Sequence, residues 1–126
     1  MGDALDFRAT IGGDAAILPY MHSLAVSAGA LLSSMFHTDT LLPDSMYGAM
    51  VDVRVPTLNA SLVTTLPQQL LQRFNTWVPV YNLNGLGATS DVYYVRVSLQ
   101  IYNEIADVEF LGRAILALIQ ESIASA

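Results

Sequence analysis

The chain has 126 residues, a formal net charge of −6 and a hydrophobic content of 53%. This length suits one domain with a core of its own, residues 1–126, and the apolar excess predicts that part of the surface faces a partner. The five basic residues are arginines scattered along the sequence. That pattern argues against nucleic acid or an anionic membrane as a ligand, because both require clustered positive charge. Cysteine is absent, which excludes disulfides, thiolate metal sites and thiol nucleophiles.

The N-terminal third predicts two helices. A short helical turn over 3–10 ends at a Gly-Gly pair, and Asp14 is placed to cap the helix that follows. Apolar residues then recur at three- and four-residue steps over 15–36, the pattern of a long helix with one buried face. Small residues crowd its middle, between 23 and 30, so we expect another element to approach it closely there.

The middle of the chain predicts a strand followed by a helix. After a loop over 37–47, valines alternate with other residues over 48–55, which is typical of a half-buried strand. A helix is expected over 59–75. Because Pro67 lies inside its apolar pattern, we expect a break or a second start near Leu66.

Two further strands are predicted on either side of a flexible loop. The first, 77–81, contains Pro79, which cannot donate to a sheet ladder and therefore indicates an edge strand. The loop over 82–89 holds two asparagines and two glycines, residues that favour turns. The second strand, 92–99, carries alternating side chains of different polarity.

A closing helix over 105–122 is predicted by apolar residues at helical spacing, with Asn103 as its N-cap. Asp107 and Glu109 suit the positive end of the helix dipole better than they suit an acid/base pair. The element order predicts an α+β fold of two layers. A small, mostly antiparallel sheet of about three strands would be covered on one face by helices, including a long first helix and a C-terminal helix.

Arg96 is the candidate site residue. Strand alternation places Tyr94, Arg96 and Ser98 on the face opposite the helical core. A guanidinium fork on a rigid strand suits a carboxylate, whereas the alternative is a solvated arginine lying over the sheet. Ser98 has no base near it in sequence, and His22 and His37 have no further ligand at metal spacing, so all three are interpreted as structural.

Five stretches together carry a family resemblance, in the order 4–13, 20–25, 50–56, 74–80 and 93–103. The last contains Arg-Val-Ser-Leu-Gln-Ile-Tyr-Asn just before the closing helix. In this order they resemble the C-terminal part of class V aminotransferases, which are fold-type I pyridoxal-phosphate (PLP) enzymes, and in particular isopenicillin N epimerase-like proteins. The resemblance covers nearly the whole chain.

The resemblance implies that the chain is the C-terminal small domain of a longer, homodimeric PLP enzyme that transforms amino acids. The family's strand arginine grips the substrate carboxylate, which makes Arg96 the implied substrate-binding residue. A PLP enzyme needs a lysine for its Schiff base, and this chain has none. Catalytic and cofactor-binding residues are therefore expected in a missing large domain, and the chain alone is expected neither to bind PLP nor to be active. No metal is expected.

The residues leave the reaction open. Cysteine desulfurases of this fold carry a persulfide-forming cysteine shortly before the strand that corresponds to 92–99, and the stretch 75–82 has no thiol. That mechanism is excluded, while epimerase and carbon–sulfur lyase chemistry both remain. A different class of function is a free-standing α+β interaction module, whose apolar excess binds a partner. Apolar stretches interrupted by polar residues, and a start without a basic region, predict a cytoplasmic protein, with an import signal still possible on the missing N-terminal part.

Overall fold

The computed structural model describes residues 2–83 and 91–124. Within these ranges it has four α-helices and a three-stranded sheet, which confirms the predicted α+β class and element order. A short helical turn precedes the long helix, as predicted. The helices are α1 (Gly2–Thr10), α2 (Gly13–Phe36), α3 (Ala60–Phe74) and α4 (Ile105–Ala124); the strands are β1 (Met50–Arg54), β2 (Val80–Asn82) and β3 (Tyr93–Ser98), with a 3-10 turn at Asp44–Met46.

The sheet is antiparallel, and β3 lies between β1 and β2. The prediction that Pro79 marks an edge strand is confirmed, because β2 occupies an outer position in this order. The strand itself starts later than predicted, at Val80. Pro79 has no N–H to donate, and it joins the sheet only through its carbonyl, which accepts the Arg96 N–H at 3.1 Å. On the other edge, Thr40 forms an isolated bridge with Val53 of β1.

One face of the sheet is covered by helices. Helix α2 packs on β1, α3 contacts β2, and α4 packs against both α2 and α3. The residues of β1 and β3, and those that directly follow these strands, that point toward the helices are almost fully buried, as the alternation predicted: Val51, Val53, Val55, Val95, Val97 and Leu99. The opposite side chains stand on a face that none of the described helices covers.

The small residues of α2 serve the chain's own core. Ala25 and Ala28 are completely buried, and Gly29 lies so close to β1 that an added Cβ would be 3.0 Å from Val51 Cγ2. The predicted close approach is thus confirmed, with β1 as the approaching element. These three positions are not available to a partner.

The two predicted N-caps are wrong. Helix α2 begins after Gly12, whose φ of 110° is readily adopted only by glycine, and Asp14 lies inside the first turn, where it pairs with Arg8. At α4, the Asn103 side chain accepts the Gln100 N–H and so closes a turn before the helix.

Asp107 holds the start of α4 instead of Asn103. Its Oδ2 accepts the Glu104 N–H at 2.9 Å. This is the side-chain half of a capping box, in which a residue three positions into the helix satisfies an orphan donor at its entrance. The interpretation of Asp107 as a helix-terminus residue is therefore confirmed.

The predicted break in α3 is also wrong. The helix runs without interruption through Pro67. Proline removes the hydrogen bond to the Val63 carbonyl, but Leu66 and Leu70 on either side are completely buried. Packing of these leucines outweighs the lost bond, and sequence alone gives no measure of that packing.

Helix α2 is long and apolar enough to cross a membrane by length and composition. Here its buried side chains pack on β1 and α4, and the core helix of a globular domain meets the same criteria. Of the predicted loop over 82–89, Asn82 closes β2. Its glycine-containing part lies outside the described residues.

Candidate functional site

The uncovered face of the sheet, here called the open face, contains the candidate arginine. Alternation from the ladder register gives its members: Met50, Asp52, Arg54, Tyr81, Tyr94, Arg96 and Ser98. Arg96 is half-buried on the central strand, so a neighbouring strand lies on each side of it. The prediction that Arg96 points away from the helices is confirmed.

Arg96 forms a two-bond fork with Asp52 on β1. The two residues are direct partners in the antiparallel ladder. Arg96 Nε donates to Asp52 Oδ1 at 3.0 Å, and Nη2 donates to Oδ2 at 3.5 Å. The side chain of Asp52 is only 15% exposed, against 40% for Arg96. Burial of a carboxylate to this extent is costly unless it is paired and hydrogen-bonded.

Tyr81 of β2 completes the surroundings of the guanidinium. The Arg96 Cζ atom lies 4.7 Å from the centroid of the Tyr81 ring, a cation–π distance. The hydrogen bond that Arg96 donates to Asp52, and then the negative charge of Asp52, raise the pKa of Arg96 further above its ordinary value. The guanidinium is therefore permanently charged, and each of the three strands contributes one residue to this arrangement.

The remaining arginines differ from Arg96 in the exposure of their partners. Each pairs with a carboxylate that is between 46% and 67% exposed: Arg8 with Asp14, Arg54 with Asp39, Arg73 with Glu121, and Arg113 with Glu109. Exposed pairs of this kind contribute little to stability. Arg96 is distinguished by a partner that is itself largely buried.

Arg54 also lies on the open face. Its Nε is 3.2 Å from Asp39 Oδ1, and its carbonyl accepts the Thr38 hydroxyl at 2.6 Å. Arg54 is opposite Tyr94 in the ladder. The open face thus presents two guanidinium groups. That of Arg96 is held by Asp52 on the neighbouring strand, and that of Arg54 is held by Asp39 in the loop before β1.

Of the other residues singled out by sequence, His22 and Glu109 have side-chain partners within the fold. His22 Nδ1 lies 3.0 Å from the Tyr47 carbonyl oxygen, and His37 ends α2 with a φ of 55°. Glu109 pairs with Arg113 one turn along α4, and Ser98 is exposed at the end of β3. Within residues 2–83 and 91–124, no group of three or more histidine, aspartate or glutamate residues could hold a metal ion.

Asp52 and Tyr81 are the site residues that sequence reasoning missed. Alternation within β1 did place Asp52 on the face opposite the buried valines. The sequence does not give the strand register, which pairs Asp52 with Arg96 and places Tyr81 next to Arg96. Such pairing joins positions 44 residues apart.

The chain does not provide the covalent anchor that PLP requires. It has no lysine, and a Schiff base to the cofactor needs one. The chemistry available on the open face is that of a fixed, charged hydrogen-bond donor. It can bind and orient an anion.

Comparison with known proteins finds relatives that are named as a lyase or as desulfhydrase-like. No protein-family profile matches the chain. It is 28% identical to "Hercynylcysteine sulfoxide lyase" of Schizosaccharomyces pombe, over 91% of this chain and 27% of that protein. It is 26% and 27% identical to the "L-cysteine desulfhydrase-like" proteins lolT1 and lolT2 of Epichloe uncinata, in each case over 94% of this chain. The alignments take in 32% and 31% of those two proteins.

The relatives support the class V aminotransferase-like family, to which the sequence was found to be similar. These relatives are named as a lyase and as desulfhydrase-like proteins. Their names do not support the predicted isopenicillin N epimerase-like activity. The chain spans about a third of the length of these relatives.

Proposed function

We propose that this chain is the C-terminal domain of a longer PLP-dependent enzyme that cleaves a carbon–sulfur bond in an amino-acid substrate. The observation that carries the proposal is the alignment of three proteins named as a lyase or desulfhydrase-like over 91% to 94% of the chain. Of the two reactions that the sequence left open, these names favour the lyase over the epimerase. The absence of a thiol is compatible with this chemistry, which needs no persulfide-forming cysteine.

In this proposal the chain supplies substrate orientation. Arg96 holds a carboxylate of the substrate through its charged fork, and the rigid strand keeps that fork in place. The support is geometric: Arg96 is on the central strand, its guanidinium is held from two sides, and none of the described helices covers its face. The face that lacks a helical cover is the one on which a further domain can close over a substrate.

The cofactor belongs to the rest of the enzyme. Cysteine desulfhydrases and related lyases generally use PLP, which in the complete enzyme would supply an electron sink for bond cleavage in the substrate. With no lysine in this chain, the residues that anchor PLP are assigned to the large domain that the relatives' greater length implies. A homodimer and a cytoplasmic location complete the proposal.

The first experiment is to express the complete open reading frame that contains this chain and to assay sulfide release from L-cysteine. Chirality at Cα is followed in the same reaction, because epimerisation without sulfide release would identify the second candidate. A complete protein that neither releases sulfide nor changes the chirality of any amino acid tested would contradict the proposal.

Arg96 is tested in the same full-length protein. Arg96→Ala removes the charge and the fork, and we expect kcat/KM for L-cysteine to fall on the order of 100-fold, with Arg96→Lys intermediate because lysine lacks the planar fork. Arg113→Ala is the matched control, since the Arg113 side chain is 75% exposed on α4. Unchanged kinetics in Arg96→Ala would remove the substrate-binding role.

The alternative of a free-standing interaction module rests on the exposed apolar side chains. Tyr102, Leu58 and Trp77 are 79%, 74% and 62% exposed. These values suit contact with a partner surface, whether that surface is a domain of the same protein or another molecule. An open reading frame limited to these 126 residues would favour the module.

A further inference from the structure

We propose that Asp52 and Tyr81 are positioning residues that aim the Arg96 guanidinium, so that carboxylate recognition on the open face depends on three strands together. This inference rests on the proposed role of Arg96. It assigns a function to two residues on the neighbouring strands that would not themselves touch the substrate carboxylate.

The argument begins with the edges of the guanidinium. The group is planar and offers two edges for bidentate bonding, one formed by Nε and Nη2 and the other by Nη1 and Nη2. Asp52 occupies the Nε and Nη2 edge. The Nη1 and Nη2 edge remains for a second carboxylate, and its direction is set once the first edge is fixed.

Tyr81 restricts the remaining freedom. Its ring lies under the guanidinium, with 4.7 Å between Arg96 Cζ and the ring centroid. An edge bond and a ring contact together fix both the rotation of the group and the position of its plane. A substrate carboxylate then binds a preorganised fork, so the Arg96 side chain loses less conformational entropy on binding.

A competing role for Asp52 is to block Arg96 until a ligand displaces it. The geometry disfavours displacement. Asp52 is only 15% exposed, belongs to the same sheet, and would lose two charge-assisted bonds if the arginine turned away. To displace Asp52, a free ligand would have to break the intramolecular Arg96–Asp52 pair. The Nη1 and Nη2 edge of Arg96 can bind a carboxylate without breaking that pair.

The two roles predict opposite signs in a binding experiment. L-alanine and ethylamine differ by a carboxylate. The dissociation constant of ethylamine divided by that of L-alanine, both for the full-length protein, therefore measures carboxylate recognition. If Asp52 positions Arg96, Asp52→Asn should lower that ratio by on the order of tenfold, because Nη2 loses its acceptor. If Asp52 blocks or merely neutralises Arg96, removal of its charge should raise the ratio.

Tyr81→Leu provides a second variant that should fold, since Tyr81 is 40% exposed. It removes the ring contact, and we expect the ratio to fall about threefold. Asp39→Asn is the matched control. It takes a carboxylate from Arg54 on the same face and should leave the ratio unchanged.

Failure of this inference is distinguishable from failure of the proposed function. If Arg96→Ala leaves the ratio unchanged, Arg96 does not bind the carboxylate, and its proposed substrate-binding role fails together with the positioning role of Asp52 and Tyr81. If Arg96→Ala abolishes the preference for L-alanine while Asp52→Asn and Tyr81→Leu keep or increase it, only the positioning role is overturned. In the Arg96→Ala background, Asp52→Asn should have no further effect on the ratio.

A readout independent of ligand uses the 126-residue chain itself. In a nitrogen-15 NMR spectrum, the Arg96 Nε–H should exchange with water much more slowly than the Arg113 Nε–H, whose side chain is 75% exposed. Asp52→Ala should remove that protection. Equal exchange of the two Nε–H groups in the unchanged chain would overturn the proposal.

Discussion

Asp52 and Arg96 are direct partners across the β1–β3 ladder, and two N–H···O bonds of 3.0 and 3.5 Å join their side chains. The relationship ties a largely buried carboxylate to the candidate substrate-binding residue. From strand alternation alone, replacement of Arg96 should hardly affect folding. The observed pairing changes that expectation, because loss of Arg96 would leave the Asp52 carboxylate without its main counter-charge.

The pair should be visible in the stability of the 126-residue chain. We expect Arg96→Ala to lower the free energy of unfolding by about 1 kcal/mol, a value reduced for the solvent that reaches the arginine. The double variant with Asp52→Ala should cost less than the sum of the two single changes. Urea unfolding of all four proteins measures this coupling, and strictly additive costs would show that the fork contributes nothing to stability.

Gly29 should tolerate no branched side chain. Its Cα faces Val51, Thr40 and the Tyr47 hydroxyl, all within 3.4 Å of the position of an added Cβ. Gly29→Val should therefore destabilise the chain by about 2–3 kcal/mol through overpacking. Ala30→Val, at the exposed neighbouring position of the same helix, should cost only about 0.6 kcal/mol from helix propensity. Thermal unfolding of the two variants side by side tests this, and similar midpoints would mean that β1 moves aside without cost.

Pro67 is retained in α3 at an energetic cost, so its replacement should be stabilising. Pro67→Ala restores a donor to the Val63 carbonyl, and we expect the free energy of unfolding to rise by about 1–2 kcal/mol after allowance for the more flexible unfolded chain. Gln68→Ala, at the next position in the helix, is the control for a change without a proline. A drop in the unfolding midpoint of Pro67→Ala would indicate that the ring itself contributes to packing.

The Arg73–Glu121 pair, which joins α3 to α4, should make a small pH-dependent contribution. Arg73 donates bonds of 2.6 and 2.8 Å to the carboxylate, and this hydrogen bonding holds the pKa of Glu121 below its ordinary value. A folded-state pKa below the unfolded value means stability that is present above the unfolded pKa. That stability is lost as the pH falls through the folded pKa.

Glu121→Gln tests this sign. At pH 7 we expect its unfolding midpoint to lie about 1–3 °C below that of the unchanged chain, as is usual for an exposed pair, and the difference should shrink below about pH 4. Glu109→Gln is the control, because the Glu109 partner is on the same helix. A difference that grows on acidification would contradict the assignment.

Local patterns in the sequence determined much of the fold. Apolar spacing predicted α2 and α4, and valine alternation predicted β1 with its buried face. These features depend on the geometry of a single helix or strand, which repeats with a fixed period, so nearby residues contain the information. The position of Arg96 on the face opposite the helices followed from the same period. A family resemblance, later supported by the relatives, gave that arginine its proposed role.

Only the tertiary structure decided the features that depend on distant residues. The continuity of α3 through Pro67 follows from the burial of Leu66 and Leu70, and the start of α4 is held by Asp107 instead of Asn103. Above all, the ladder register places Asp52 and Tyr81 around Arg96. Shifting a strand by one residue would reverse which side chains share a face, and that register is set by packing of the whole sheet against its helices.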